Sequence, residues 1–238
     1  MAIKINELSV FFPAYNEENS IVDVVKQAKK VLQEIVGNWE ILIINDGSKD
    51  KTLEVAKKLA KTDKRIKVIH HTINRGYGAA FKSGFYNAKY DWIAFTDADG
   101  QFDFSEITDF IKKQRQTEAD VVIGYYKKRK VSKFKIVTSK IWELVVFLLF
   151  SLKVKDIDCG FKFVRKTVID TIPKLESERG AFISSEFLVK AKTAGFKIVE
   201  IPVTHFARKA GTGTGRHLNV ILKSFIDLLK LRIKLWLA

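Results

Sequence analysis

Apolar runs and helix-period segments alternate through the first half of the chain. Leu8–Pro13 reads as a strand, and Ile21, Val25, Ala28, Leu32 and Ile35 then recur at helical spacing, with Gly37 as the stop. The pattern predicts a strand over Glu40–Ile44, a helix over Thr52–Ala60, a strand over Ile66–His70 and a helix from Tyr77 to Ala88. A strand over Trp92–Thr96, a helix from Ser105 and a strand over Ala119–Ile123 follow. Strands alternating with helices imply βαβ units and an α/β fold with a mostly parallel sheet.

The alternation breaks down after Gly124. Two helices are expected beyond it. Residues 138–152 are apolar nearly all round, whereas 217–237 are amphipathic, with Leu218, Ile221, Leu222, Phe225, Leu228, Leu229 and Trp236 on one wide face and Lys223, Asp227, Lys230 and Lys234 opposite. Basic residues opposite Leu, Phe and Trp suit a helix lying in a membrane interface; a core-facing helix or a subunit contact would share the pattern.

Charge sharpens this contrast. Of 42 Lys+Arg and 27 Asp+Glu, residues 1–120 hold 18 of each, so the whole net charge of +15 falls in residues 121–238. The expected partner of that half is anionic, such as a membrane surface or a lipid phosphate. A single cysteine, Cys159, excludes an intrachain disulfide. The longest unbroken apolar run, Leu144–Phe150, is far short of the ~20 residues that span a bilayer. With no signal peptide evident at the start, the expectation is a cytoplasmic protein, peripheral on the cytoplasmic face of a membrane, without a transmembrane helix.

The chemistry sits at strand ends. Asp97-Ala98-Asp99-Gly100-Gln101 closes the Trp92–Thr96 strand and offers hard oxygen ligands suited to Mg²⁺ or Mn²⁺, metals that commonly hold substrate phosphates. Pro13–Glu18, Asn45–Asp50 and Asn74–Gly78 follow the first three strands. In a parallel sheet such loops converge on one edge. Each alone could be ordinary turn chemistry; four in succession are harder to explain that way.

Together, Pro13–Glu18, Asn45–Ser48, Asn74–Gly78 and Asp97–Gln101 resemble the inverting family 2 glycosyltransferases of GT-A fold. The resemblance continues through Asp156–Lys162, Glu186 in Ser-Ser-Glu-Phe-Leu, and His205–Gly215, as in the dolichyl- and polyprenyl-phosphate mannose synthases and glucosyltransferases. It implies a GT-A domain over residues 1–216, with a nucleotide-binding half (1–124) and an acceptor half (125–216); the amphipathic helix expected from the residue pattern follows at 217–238. It also implies a nucleotide-sugar donor, UDP- or GDP-linked, a polyprenyl or dolichyl phosphate acceptor, and no nucleic acid.

The resemblance further assigns roles. Pro13, Tyr15, Glu17, Asp46, Gly76 and Asp97 are the implied nucleotide-binding residues, with Asp46 accepting from the base. Asp97, Asp99 and Gln101 would hold the metal against the diphosphate. Arg208, with Arg216 beside it in a Gly-rich loop, would stabilise the departing diphosphate. Glu186 or Asp156 would act as a base or orient the acceptor. An ionised acceptor phosphate needs no base, whereas a sugar hydroxyl would. Asn45 stands where many relatives have Asp, and Ser184 where some have Asp. His70, His71 and His217 read as ordinary, and Cys159 as a packed small residue. A dinucleotide-dependent oxidoreductase is disfavoured because Pro-Ala-Tyr-Asn-Glu-Glu replaces the glycine fingerprint after the first strand. A soluble transferase acting on a glycan or protein, and a basic nucleic-acid-binding module, are the remaining alternatives.

Overall fold

The computed structural model describes residues 4–127, 133–178, 180, 182–207 and 218–237. Seven strands form one sheet in the order β3-β2-β1-β4-β6-β5-β7. Strands β1 (Ile5–Ala14), β2 (Val36–Asp46), β3 (Ile66–His71) and β4 (Trp92–Phe95) pair in parallel. Strand β6 (Lys162–Arg165) runs antiparallel between β4 and β5 (Val121–Tyr126), and β7 (Ile198–Val203) lies parallel at the edge.

The first half follows the periodicity. Helices α1 (Ile21–Ile35), α2 (Thr52–Thr62) and α3 (Tyr77–Asn87) connect the parallel strands. The expected stop at Gly37 falls instead inside β2, because the chain turns extended at Val36 and pairs at once with Ile5. A 3₁₀ turn at Phe104–Glu106 precedes α4 (Ile107–Thr117), where a helix from Ser105 was expected.

The second half holds α5 (Lys133–Phe150), α6 (Lys166–Thr171), α7 (Phe182–Thr193) and α8 (Leu218–Leu237). The sheet separates two apolar cores. On one face Val10, Phe12, Ile41 and Ile43 meet α1; on the other Phe11, Phe81, Phe85, Phe95 and Phe187 stack between the sheet, α3 and α7. Leu228 and Leu231 of α8 join this second core. Among the described residues, no helix is long and apolar enough to cross a membrane.

Candidate active site

The C-terminal ends of β1, β2 and β4 and the loop after β3 form one rim of the sheet, where an open α/β fold binds its ligand. Pro13 is buried at the end of β1, and Tyr15 and Glu17 follow, partly exposed. Their loop is laced to the next one. Asn16 N–H donates to Ser48 Oγ (3.0 Å), Lys49 N–H to Asn16 Oδ1 (2.8 Å), and Glu17 N–H to Thr52 Oγ1 (2.8 Å). Asn16 adopts φ 57°, a left-handed conformation that asparagine tolerates.

Asp46 ends β2 and is nearly inaccessible. Its Oδ1 accepts from Arg75 N–H (3.0 Å) and its Oδ2 from Gly76 N–H (2.8 Å), while Asn74 Nδ2 donates to its carbonyl (3.1 Å). The Asp46 carboxylate therefore organises the loop entering α3. Gly47, at φ +65°, permits this approach: a Cβ there would sit 2.3 Å from Asn74 N. His71 faces Asp46 across the β2–β3 register, its ring nitrogens bridging Asp46 Oδ1 and Ser83 Oγ. His71, ordinary by its sequence context, is a structural partner of Asp46.

The acidic loop follows β4. Asp99 is only 8% exposed, and its Oδ1 accepts from Gln101 N–H (3.0 Å) within the turn. Gln101 Nε2 donates to Phe206 O (2.9 Å), Phe206 N–H to Gln101 O (2.8 Å), and Phe102 bridges His205. The turn is thus tied to the segment leading toward Arg208. Arg208, Arg216 and His217, with the Gly-rich loop between them, lie outside the described residues.

Asp97 receives the Tyr77 hydroxyl at 3.3 Å. Burial and the neighbouring Asp97 carboxylate hold the Tyr77 hydroxyl far above its ordinary pKa, so it stays a neutral donor. Below lies Lys162, fully buried, donating to Cys159 O. Burial lowers its pKa against the pull of Cys159, Asp158, Asp156 and Asp97. Asp156, also buried, accepts from Asp158 N–H (3.2 Å). Cys159 is packed as expected, its thiol pushed up to about 12 by burial.

Glu186 is engaged on every side. Its Oε1 accepts from Lys190 Nζ (2.7 Å) and Glu176 N–H (2.8 Å), and its Oε2 from Ser177 N–H (2.9 Å). Burial alone would raise its pKa, but Lys190 and the Ser177 and Glu176 amides hold it below the ordinary value. The segment so held docks on α3, with Ala79 N–H donating to Glu178 O (3.0 Å) and Arg75 pairing with Glu178 (2.8 Å).

Residues 9–172 match the family model described as "Glycosyl transferase family 2". The chain belongs to glycosyl transferase family 2. It is 31% identical over 221 residues to the dolichyl-phosphate beta-glucosyltransferase of Saccharomyces cerevisiae, covering 83% of this chain and 66% of that protein. It is 29% identical over 221 residues to the dodecaprenyl-phosphate galacturonate synthase of Rhizobium johnstonii, covering 91% of this chain and 64% of the relative. The chain thus spans less than two thirds of the length of these relatives. Among solved structures, glucosyl-3-phosphoglycerate synthase from Mycobacterium tuberculosis, in complex with Mn²⁺, UDP and phosphoglyceric acid, superposes with a TM-score of 0.70 at 14% identity, covering 97% of this chain and 78% of that one. That likeness establishes the GT-A fold.

The turn after β4 carries two carboxylates, Asp97 and Asp99. Among the described residues, no group of three or more His, Cys, Asp and Glu side chains is arranged to hold a metal unaided. A pair of carboxylates, Asp97 and Asp99, fits a hard divalent ion whose remaining ligands are diphosphate oxygens and water.

Proposed function

We propose that this family 2 glycosyltransferase moves a sugar from a nucleoside-diphosphate sugar to a polyprenyl phosphate at an anionic membrane surface. The observation that carries the reading is the meeting of the Asp46-organised loop and the Asp97–Gln101 turn on one rim, joined through Tyr77. The printed names of the curated relatives, a dolichyl-phosphate glucosyltransferase and a dodecaprenyl-phosphate galacturonate synthase, support the acceptor class.

In this reading Pro13, Tyr15, Glu17, Asp46 and Gly76 shape the nucleoside pocket, and Asp97, Asp99 and Gln101 hold Mg²⁺ or Mn²⁺. A divalent ion held there would offset negative charge on the departing diphosphate. The ionised acceptor phosphate attacks the anomeric carbon from the face opposite the leaving diphosphate, in a single displacement that inverts the centre. The C–O bond to the diphosphate breaks as the new C–O bond forms, and no proton has to be removed. The engagement of Glu186 by Lys190 and two amides fits this chemistry, because a carboxylate so occupied is a poor base. Glu186 and Asp156 then orient the acceptor half. Arg208 would supply positive charge to the departing diphosphate.

Membrane attachment rests on α5 and α8. Ile141, Leu144, Phe147 and Leu148 of α5 and Ile226, Leu229, Ile233 and Trp236 of α8 are exposed, on helices that touch where Arg232 lies over the Phe150 ring. Helix α8 thus has two apolar stripes, one in the core through Leu228 and Leu231 and one in solvent. Exposed apolar residues within the half that carries all the excess charge suit an anionic interface.

The test is a screen of UDP- and GDP-sugars for hydrolysis and transfer, with and without a short polyprenyl phosphate and with Mn²⁺, Mg²⁺ or EDTA. Transfer to the lipid phosphate supports the reading. Transfer only to glycan or protein hydroxyls favours the soluble alternative, and no turnover with any donor overturns both.

A further inference from the structure

We propose that Tyr77 is a positioning residue that sets the orientation of the Asp97 carboxylate for its ligand. The inference rests on the reading of Asp97 as part of the metal–diphosphate site and adds a residue to it.

Two contacts confine the Asp97 carboxylate, the first of them from Tyr77. Its hydroxyl reaches Asp97 Oδ1 at 3.3 Å. The other oxygen is confined from a different element: a Cβ at Gly160 would sit 2.4 Å from Asp97 Oδ2, so the backbone at 160 walls that side. The carboxylate is thereby held between a donor on α3 and the turn before β6, which restricts its rotation.

Tyr77 is itself fixed from two directions. From the nucleotide half, Asp46 captures the amides of Arg75 and Gly76, the two residues immediately before it. From the acceptor half, Glu178 O accepts from Ala79 N–H, two residues after it, and Glu178 belongs to the segment that Glu186 pins through the Glu176 and Ser177 amides. The first turn of α3 is clamped by two buried carboxylates, and Tyr77 carries that placement to Asp97. A ligand oxygen pre-set in this way loses less freedom when it binds, which favours the bound state.

The experiment compares wild type, Tyr77→Phe and Asp97→Asn. It measures Mn²⁺ binding by electron paramagnetic resonance, and UDP and GDP binding by calorimetry with Mn²⁺ and with EDTA. Tyr77→Phe removes one oxygen and keeps the ring, and a thermal melt checks the fold. The expected result is a loss of about threefold to tenfold in Mn²⁺-dependent nucleotide affinity, the size of one modest hydrogen bond, with EDTA-condition affinity unchanged. Asp97→Asn should lose more. Equal affinity of Tyr77→Phe and wild type in Mn²⁺, while Asp97→Asn falls, overturns the role of Tyr77 alone. A fall shared equally between Mn²⁺ and EDTA makes Tyr77 part of the nucleoside pocket and also overturns it. Unchanged binding in Asp97→Asn, or no Mn²⁺ and nucleotide binding by wild type, overturns the reading of the site beneath it.

Discussion

His71 Nδ1 lies 2.7 Å from Asp46 Oδ1, and its Nε2 lies 2.9 Å from Ser83 Oγ. The carboxylate is the acceptor, so Nδ1 carries the proton and, in the neutral ring, Nε2 accepts from the serine hydroxyl. One imidazole thus ties the end of β2 to the middle of α3, and the backbone amides of Arg75 and Gly76 complete the shell around Asp46. The nucleotide loop is held by a buried polar network in which each member fixes the next.

Asp46→Ala is expected to weaken UDP or GDP binding by about 1.5–3 kcal/mol, the size of one of the charged hydrogen bonds by which it holds the Arg75–Gly76 loop in place. It should also lower the melting temperature, because two amides and His71 lose their acceptor. His71→Gln should have the smaller effect on both. Calorimetry and thermal melts check this; unchanged affinity for the preferred nucleotide removes Asp46 from the site.

The parallel half was legible because most of its strands carry apolar runs, such as Val10–Phe12 and Ile41–Ile44, between helices with an apolar face. The acidic loop and the Asn-Asp-Gly-Ser loop stood out as polar breaks after apolar runs. The second half was obscured by burial. Residues Phe182 through Ala191 of α7 are all buried, including Ser184, Ser185, Glu186 and Lys190, so no polar face marks the helical period. Strand β6 starts at Lys162, a charge inside the sheet. Strand β7 is an edge strand interrupted by Pro202, which weakens its pattern. The roles of Tyr77 and His71 depend on contacts across the fold that no spacing encodes.

Asp99→Asn is expected to abolish turnover while leaving the melting temperature near that of wild type. Its Oδ1 accepts the turn amide of Gln101, and the side-chain oxygen of an asparagine can take over that acceptor role. The lost charge should cost several kcal/mol of leaving-group stabilisation. Activity that survives this change, or that EDTA leaves untouched, sinks the metal assignment.

Glu186→Gln should destabilise the fold more than it alters the chemistry. It leaves Lys190 buried without its carboxylate, a change worth about 3–5 kcal/mol when a buried pair is broken. The same pair predicts acid sensitivity. Burial pushes Glu186 and Glu40 upward, yet hydrogen bonds from Lys190 and Ser177, and from Lys67, Lys89 N–H and Ser9, hold both below the ordinary 4.5. For a lowered carboxylate the stabilisation is complete above the unfolded-chain value and is lost as pH falls through the folded one. Wild-type melting temperature should therefore drop below about pH 4.5, and Glu186→Gln should show a shallower slope there. A variant with wild-type stability and slope, but no transfer, would return Glu186 to direct acceptor chemistry.

The membrane reading needs a test that spares the core. Removing residues 217–238 would also remove Leu228 and Leu231, which are buried against the body of the protein, so loss of activity would be ambiguous. Leu148 and Ile233 are better targets: they are 70% and 57% exposed, on α5 and α8. Wild type is expected to sediment with anionic vesicles at low salt and to release partly at high salt, since each basic residue near the surface contributes about 1 kcal/mol that salt screens. Each buried aliphatic side chain adds roughly 1.5–3 kcal/mol, so Leu148→Glu with Ile233→Glu should cut vesicle binding by well over tenfold. Donor hydrolysis should persist in the double variant, because both side chains are solvent-exposed and contribute little to the core. Transfer to a long polyprenyl phosphate in vesicles should fall with binding, while transfer to a short, soluble one should not. Vesicle binding unchanged in the double variant, or absent in wild type at low salt, makes the exposed stripes of α5 and α8 a contact for protein instead of lipid.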